Sequence, residues 1–442
     1  MQRKHLALGA MVVVGAMLLA GCGSGSSGTS DSAAVSKSVS GKGKTLTLWD
    51  YETPTSAMGI AWNQAIKTFE QETGAKVKFE AKSFEQIRST SSQVLNSSAA
   101  PDVMEYNKGN ATAGLLSSQG LLTNLDAAVK TYGWDKQLAP SLQTTAKYDT
   151  KGIMGSGPWY GVPTYGEYVM VYYNKDMFAK QHIAVPTTLA GFVSAMQQFK
   201  SAGITPLAES AAEYPLGQLW YQLLLSKANR AFVNNYQLYK GTVNWQGPEI
   251  SYATSTIKDW VTKGYINTDV TGEKAQDAAT NFLGGKDPIF YSGSWWYNQF
   301  TTQAKFQWDT FLFPQTTMSP GSSGNIWVVP EKAQNKDLAY KFIDITMSPA
   351  IQALMGNSGG VPVAATTSAI TVASSRTLIS NFNVLTKRDG IGFYPDWPTP
   401  TFYDQLNAGL QELVNGTKSV KAVDTELGTE YQAGVNSIVK AP

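Results

Sequence analysis

Three strand patterns separated by two helix patterns lie near the start of the chain, and this order restricts the fold more than any other feature. Strands are predicted at 44–49, where apolar and polar residues alternate, and at 77–81 and 101–106. Between them, residues 61–73 and 84–98 carry apolar side chains at helical spacing. Strands that alternate with helices predict a parallel sheet covered by helices, so an α/β protein is expected.

The first 43 residues are expected to lie outside this fold. A basic start, an apolar run and the sequence Leu19-Ala20-Gly21-Cys22 resemble a bacterial lipoprotein signal, which predicts a signal peptide at 1–21 and a lipid on Cys22. Residues 22–43 are rich in Gly and Ser and predict a flexible tether. No later stretch is long and apolar enough to predict a membrane-spanning helix.

The charge balance argues against a nucleic-acid partner. Removal of the signal takes Arg3 and Lys4 from 35 basic residues, which leaves 33 against 33 acidic residues. Nucleic-acid binding needs a basic surface, and a neutral chain does not favour one. Charged residues make up 15% of the chain and aromatic residues 11%, a balance that favours a neutral ligand. The roughly 400 residues after the tether suit two lobes.

An aromatic turn at 288–297 is the strongest local indication of a ligand site. The segment begins as a short buried strand and breaks at Ser292-Gly293-Ser294, and Ser294 is expected to cap the helix that follows. Trp295 and Trp296 come directly after the turn. Flat aromatic faces beside hydroxyl groups suit a sugar ring, but tryptophan is usually buried for packing, so both interpretations stay open here.

Segments along nearly the whole chain resemble the extracellular solute-binding proteins of carbohydrate transporters, the family that includes the maltose-binding protein. These segments, in chain order, are 45–49, 69–74, 101–103, 120–125, 160–163, 171–178, 292–295, 335–343 and 359–363.

The resemblance implies a two-lobe α/β fold with a central, mostly parallel sheet in each lobe and a hinge of several strands. Lobe 1 would comprise 44–166 and 305–358, and lobe 2 would comprise 167–304 and 359–442. No cofactor and no metal are expected, and the mature chain has one histidine, His182.

Ligand-binding residues are expected where strands end at the cleft between the lobes. Asp50 and Tyr51 follow the first strand, and Tyr106 and Asn107 follow the third. Tyr165 lies at the first hinge crossing, and the rigid loop 394–398 offers Asp396 and Trp397. Glu85 is interpreted as a solvated helix start and Trp49 as a core residue.

The resemblance implies ligand contacts for six residues, at positions that match ligand-contacting residues of the maltose-binding protein. They are Tyr106, Glu167, Glu213, Tyr214, Trp295 and Tyr403. The alternative for Glu167 is a hinge salt bridge. Trp296 is interpreted as a packing residue. The loops after the first and third strands lack charged pairs of the maltose-binding protein, so maltose itself is not implied.

The predicted function is capture of a neutral oligosaccharide and its delivery to the membrane permease of an ABC importer, by a monomer anchored through lipid at the outer face of a bacterial cell membrane. Another small solute, such as a polyol, a polyamine or a phosphorylated polyol, is one alternative. A secreted glycosidase that uses two carboxylates is another, although no local catalytic motif is present.

Overall fold

The structure, a computed structural model, describes residues 35–440. The signal peptide, Cys22 and the first part of the predicted tether lie outside the described residues. The strands are β1 (Thr45–Asp50), β2 (Lys76–Ala81), β3 (Val103–Tyr106), β4 (Lys147–Tyr148), β5 (Met154–Trp159), β6 (Val162–Pro163), β7 (Tyr165–Asn174), β8 (Leu207–Ala208), β9 (Ile289–Gly293), β10 (Trp308–Phe311), β11 (Gly321–Ser323), β12 (Ile326–Val328) and β13 (Val361–Pro362).

Helices connect and cover these strands, and no helix within residues 35–440 is long and apolar enough to cross a membrane. The α-helices are α1 (Ala57–Thr73), α2 (Phe84–Leu95), α3 (Leu115–Ser118), α4 (Asp126–Tyr132), α5 (Trp134–Gln137), α6 (Pro140–Gln143), α7 (Lys175–Lys180), α8 (Leu189–Ser201), α9 (Pro215–Leu225), α10 (Arg230–Leu238), α11 (Pro248–Thr262), α12 (Ala275–Leu283), α13 (Tyr297–Gln303), α14 (Lys336–Thr346), α15 (Pro349–Asn357), α16 (Ala373–Lys387), α17 (Phe402–Asn415) and α18 (Val420–Val439).

Local capping sets the ends of the first helices. The side chain of Ser56 accepts the N–H of Gly59 at 2.9 Å, so α1 begins four residues before its predicted start. Gly74 ends α1 with a left-handed φ of 72°. Ser83 and Gln86 form a capping box that sets the start of α2. Glu85 lies in the first turn of this helix.

The first sheet has the order β2-β1-β3-β12-β6. β1 is parallel to both β2 and β3, as the strand–helix order predicts, whereas β12 is antiparallel to β3 and to β6. A separate apolar core, which includes Leu46, Trp62 and Phe342, packs against this sheet.

The second sheet has the order β10-β7-β9-β8, and the prediction of a mostly parallel sheet is wrong for it. β7 is antiparallel to both β9 and β10, and only β8 and β9 are parallel. β7 is the long strand by which the chain enters this sheet. It runs in the direction opposite to β9, whereas β8 and β9, which are joined through α9 to α12, run in the same direction.

The hinge consists of short strands gathered on the first half of β7. β11 pairs with β7 at residues 166–168, and β13 pairs with β7 at residues 165–166. After β10, which still belongs to the second sheet, the chain passes through β11 and joins the first sheet at β12. The two lobes are thus linked at β7, β11 and β13, which agrees with the predicted multi-strand hinge.

The described end of the predicted tether, residues 35–43, packs on the first lobe. Val35 and Val39 pack against the first core, and the N–H of Gly41 donates to the carbonyl of Thr73 at 2.8 Å. The hydroxyl of Tyr132 donates to the carbonyl of Ser36 at 3.1 Å. The prediction of a flexible segment is therefore wrong for these residues, because two valines and backbone hydrogen bonds hold them on the first lobe.

Candidate functional site

A cavity of about 770 Å³ lies between the two sheets and is lined from both lobes. The first lobe contributes loops after β1 and β3, and the second lobe contributes α9, α12, α13 and the loop before α17. Nine of the twelve predicted ligand residues line it: Tyr51, Asn107, Tyr165, Glu167, Tyr214, Trp295, Asp396, Trp397 and Tyr403. The structure therefore brings most of the residues predicted at strand ends together in one cavity, and their contact with a ligand stays a prediction.

Three predicted residues do not line this cavity. Asp50 is 2% exposed and its Oδ1 accepts the N–H of Glu52 at 3.0 Å, so it braces the loop instead of facing the cleft. Tyr106 is 4% exposed and belongs to the core, because it is still part of β3 and the chain leaves the strand only after it. Glu213 borders a second cavity of about 340 Å³, and its Oε2 accepts the N–H of Ala275 at 2.9 Å.

Trp295 stands at an aromatic corner of the main cavity. Its ring meets that of Tyr214 at 5.8 Å and 73°, and its Nε1 donates to the Tyr214 hydroxyl at 3.2 Å. The centroid of the Tyr394 ring lies 6.3 Å from that of the Trp295 ring. A Cβ on Gly293 would lie about 2 Å from the Trp295 ring, so a glycine at this position is a steric requirement. The indole is thus fixed with part of its surface open to the cavity.

Trp296 differs from its neighbour, as predicted. It stacks on Phe300 with 14° between the rings and donates from Nε1 to the Ser292 hydroxyl at 3.0 Å, although one edge also borders the cavity. The prediction that Ser294 caps the next helix is wrong. Its hydroxyl accepts the N–H of Tyr168 at 3.4 Å, because β9 continues through Gly293 and places Ser294 beside β7.

A buried ion pair crosses the floor of the cavity. Lys108, which is 2% exposed, pairs with Glu167 and donates to Asn325 Oδ1 at 3.1 Å. Its ammonium also lies 5.4 Å and 5.3 Å from the ring centroids of Tyr394 and Trp397. Glu167 therefore makes the ion pair that was the alternative interpretation, and it also lines the cavity, so its predicted contact with a ligand stays a prediction.

Further acids lie close to this pair, and their pKa values are raised. Burial raises the pKa of Glu52 to about 8 and that of Asp396 to about 6. Behind them, burial raises the pKa of Asp50 to about 7 and that of Glu105 well above its usual range. The hydroxyl of Ser56 donates to Glu52 at 2.8 Å. Below pH 8 Glu52 is mainly protonated, so it offers a hydrogen-bond donor to the cavity.

Several lining residues were missed by the sequence reasoning. Lys108 and Tyr394 lie beside residues that were predicted, and their roles depend on partners distant in the chain. On α13 the lining residues Gln299, Thr302 and Gln303 share one face, a helical pattern that the sequence contains. The following side chains complete the lining: Glu52, Thr53, Thr55, Ser56, Phe84, Gln218, Gln276, Trp296 and Asn325.

Three buried polar atoms in the wall have no partner among the described residues. These are Oε1 of Gln218 and the hydroxyls of Tyr51 and Tyr394. Buried polar groups are normally hydrogen-bonded, so an orphaned acceptor and two orphaned hydroxyls in a cavity wall are suited to a polar ligand. The arrangement combines aromatic faces with scattered amides and hydroxyls.

Comparison with known proteins gives the family. The family model described as "Bacterial extracellular solute-binding protein" matches residues 54–353. The diacetylchitobiose binding protein DasA of Streptomyces coelicolor is 26% identical over 376 residues, which are 82% of each chain. A maltooligosaccharide ABC transporter solute-binding lipoprotein of Streptococcus pneumoniae is 26% identical over 372 residues, 80% of this chain and 78% of that protein.

Other relatives match a shorter region, and solved structures match the fold. A probable sugar-binding periplasmic protein of Rhizobium meliloti is 24% identical over 215 residues, 48% of each chain, so the match spans about half the length of that relative. A chitin oligosaccharide binding protein has a TM-score of 0.75 at 20% identity, covering 88% of this chain and 98% of that one. The GacH receptor of Streptomyces glaucescens has a TM-score of 0.74 at 20% identity, covering 90% of this chain and 99% of that one.

The described fold and these matches agree with the resemblance predicted from the sequence, and the matched segment covers well over half of the chain. The protein therefore belongs to the family of bacterial extracellular solute-binding proteins.

Proposed function

We propose that this protein binds a neutral oligosaccharide in the main cavity and delivers it to the membrane permease of an ABC importer. The observation that carries the proposal is the aromatic corner of Trp295, Tyr214 and Tyr394, set among amides and hydroxyls in one interlobe cavity. Its volume of about 770 Å³ falls within the range of about 300–1,000 Å³ typical of small-molecule sites. Rings can cover the apolar faces of a sugar while amides and hydroxyls bind its edges.

The charges of the cavity favour an uncharged ligand. Among the described lining residues Lys108 is the only cation, and its ammonium is already engaged by Glu167 and Asn325. A phosphorylated polyol would need a free cation or helix N-terminus, which this arrangement does not favour. Glu52 is mainly protonated near neutral pH, so a polyamine would find fewer charged acceptors than the number of acids suggests.

The relatives support a saccharide over the other solutes. The names of DasA and of the pneumococcal lipoprotein refer to diacetylchitobiose and to maltooligosaccharides. Both are similar to this chain over about four fifths of its length, so we infer a ligand of the same chemical class. The particular sugar, its linkage and its length follow from neither name.

We further propose that the mature protein is held at the outer face of the cell membrane by lipid on Cys22. The lipoprotein-like signal carries this part of the proposal, and the pneumococcal relative is itself named a lipoprotein. The substitution Cys22→Ser should release the protein from washed cells into the medium. Retention of the variant at the wild-type level would contradict the lipid anchor.

A thermal-shift screen tests the ligand class. Maltooligosaccharides, chitooligosaccharides and xylooligosaccharides of two to four units should include a ligand that raises the melting temperature, because binding to the folded state alone stabilises it. Spermidine and sorbitol 6-phosphate serve as the charged comparison. A shift with either of these and with no saccharide would overturn the proposal, and release of shorter products during incubation would favour a glycosidase.

A further inference from the structure

Two residues of α2 hold an aromatic residue of α17 across the cleft. The hydroxyl of Tyr403 donates to Glu85 Oε1 at 2.9 Å, and the guanidinium carbon of Arg88 lies 4.6 Å from the Tyr403 ring centroid. Arg88 also forms two ion pairs. Its Nε lies 2.9 Å from Glu85 Oε2 on the same helix, and its Nη2 lies 3.1 Å from Asp404 Oδ1 on α17. We call Glu85, Arg88, Tyr403 and Asp404 the clamp.

The clamp fixes what Tyr403 can offer to a ligand. Its hydroxyl is occupied by Glu85, and one face of the ring is covered by Arg88, so the remaining ring surface is the part available to a ligand. Tyr403 lines both the main cavity and the second cavity of about 340 Å³, and Glu85 and Arg88 line the second one. The Tyr403 side chain is therefore a wall between the two spaces.

The two halves of the clamp belong to different lobes. α2 lies between β2 and β3 of the first sheet, whereas α17 packs on α9, α11 and α18. All contacts between the halves would break together if the lobes separated about the hinge strands β7, β11 and β13. A wall that is held by the opposite lobe is complete only when the cleft is closed.

We propose that Glu85 and Arg88 are positioning residues that hold Tyr403 as the end wall of the ligand cavity in the closed protein. The clamp then slows ligand release, since opening must break a network of hydrogen bonds, an ion pair and a cation–π contact. The effect on release rests on the proposed function, whereas the effect on closure does not.

The size of the effect follows from exposure. The Arg88 side chain is about one quarter exposed and that of Asp404 about three fifths, and a single exposed ion pair contributes little. For the whole network we expect dissociation to become about 5- to 20-fold faster in Arg88→Ala, with association nearly unchanged. Arg88→Lys keeps the charge but loses the fork that reaches both acids, so it should rescue only part of the change.

Two measurements on the mature chain test the proposal. The first is the dissociation rate of maltotetraose and of N,N′-diacetylchitobiose by stopped-flow tryptophan fluorescence. The second is the radius of gyration of the ligand-free protein by small-angle X-ray scattering, which should increase in Arg88→Ala because the open form is favoured. Lys263→Ala, which removes an exposed ion pair with Asp259 on α11, is the matched control and should change neither.

The outcomes separate the clamp from the proposed function. An increased radius in Arg88→Ala with no saccharide bound by the wild type would support the clamp and count against the sugar assignment. Saccharide binding by the wild type, with release rate and radius unchanged in Arg88→Ala, would overturn the clamp. A lowered melting temperature of the ligand-free variant with both other readouts unchanged would also overturn it, because it would indicate a purely structural role.

Discussion

Trp295 and Tyr214 contact each other in the aromatic corner, and substituting each of them separates the effect of stacking from that of hydrogen bonding. We expect Trp295→Ala to weaken saccharide binding by about 1–3 kcal/mol, by analogy with the stacking of other ring-shaped ligands on aromatic side chains. Tyr214→Phe keeps the ring and removes only the hydroxyl that accepts a hydrogen bond from Trp295 Nε1. This variant should weaken saccharide binding by about 0.5–1.5 kcal/mol. Equal affinity of folded Trp295→Ala and wild type, measured by calorimetric titration, would make Trp295 a packing residue.

Glu52 gives a second prediction at the scale of single residues, a pH dependence. Its pKa is raised by burial to about 8, so the protonated side chain can donate to a ligand hydroxyl below that pH. If the ligand uses this donor, affinity should be level up to about pH 7 and fall as pH rises through 8. Glu52→Gln keeps a donor and should give a level profile. An unchanged decline in Glu52→Gln would assign the titration to another group.

At the scale of elements, the hinge depends on β7 being able to pack on both sides. Gly166 pairs with β11 and β13, and a Cβ there would lie 2.4 Å from the ring of buried Phe382. Gly166→Ala should therefore lower the free energy of unfolding by about 1–3 kcal/mol, the usual effect of overpacking. Gly272→Ala is the matched control, because its new Cβ would have 3.8 Å to the nearest atom at a φ of −102°. Chemical denaturation of both variants and of the wild type measures these free energies. A Gly166→Ala variant as stable as the Gly272→Ala control would contradict the packing described for the hinge.

Elements also show where sequence reasoning succeeded and where it failed. The end of α1 at Thr73 and the start of α2 at Phe84 were predicted where the structure has them, since periodicity and chain breakers are local signals. The direction of β7 relative to β9 was not predictable in this way, because it depends on the path of the chain between lobes. The start of α1 was placed late because the cap at Ser56 was overlooked.

At the scale of the whole molecule, the sequence located the cavity but not its internal contacts. Residues at strand ends could be predicted as lining because strand ends meet at the cleft. The pairing of Lys108 with Glu167 and of Arg88 with Asp404 joins residues that are 59 and 316 positions apart. A single sequence carries no signal for such pairs, and Glu85 accordingly was interpreted as a solvated residue although it accepts a hydrogen bond from Tyr403.

The central claim is that one saccharide binds in the cavity between the two lobes and is not converted. Isothermal titration calorimetry of the mature chain with malto-, chito- and xylooligosaccharides of two to four units tests it most directly. We expect one binding event per chain for at least one series, with a negative heat-capacity change from burial of the aromatic corner. Absence of binding heat throughout all three series, or continuous heat from turnover, would contradict the account.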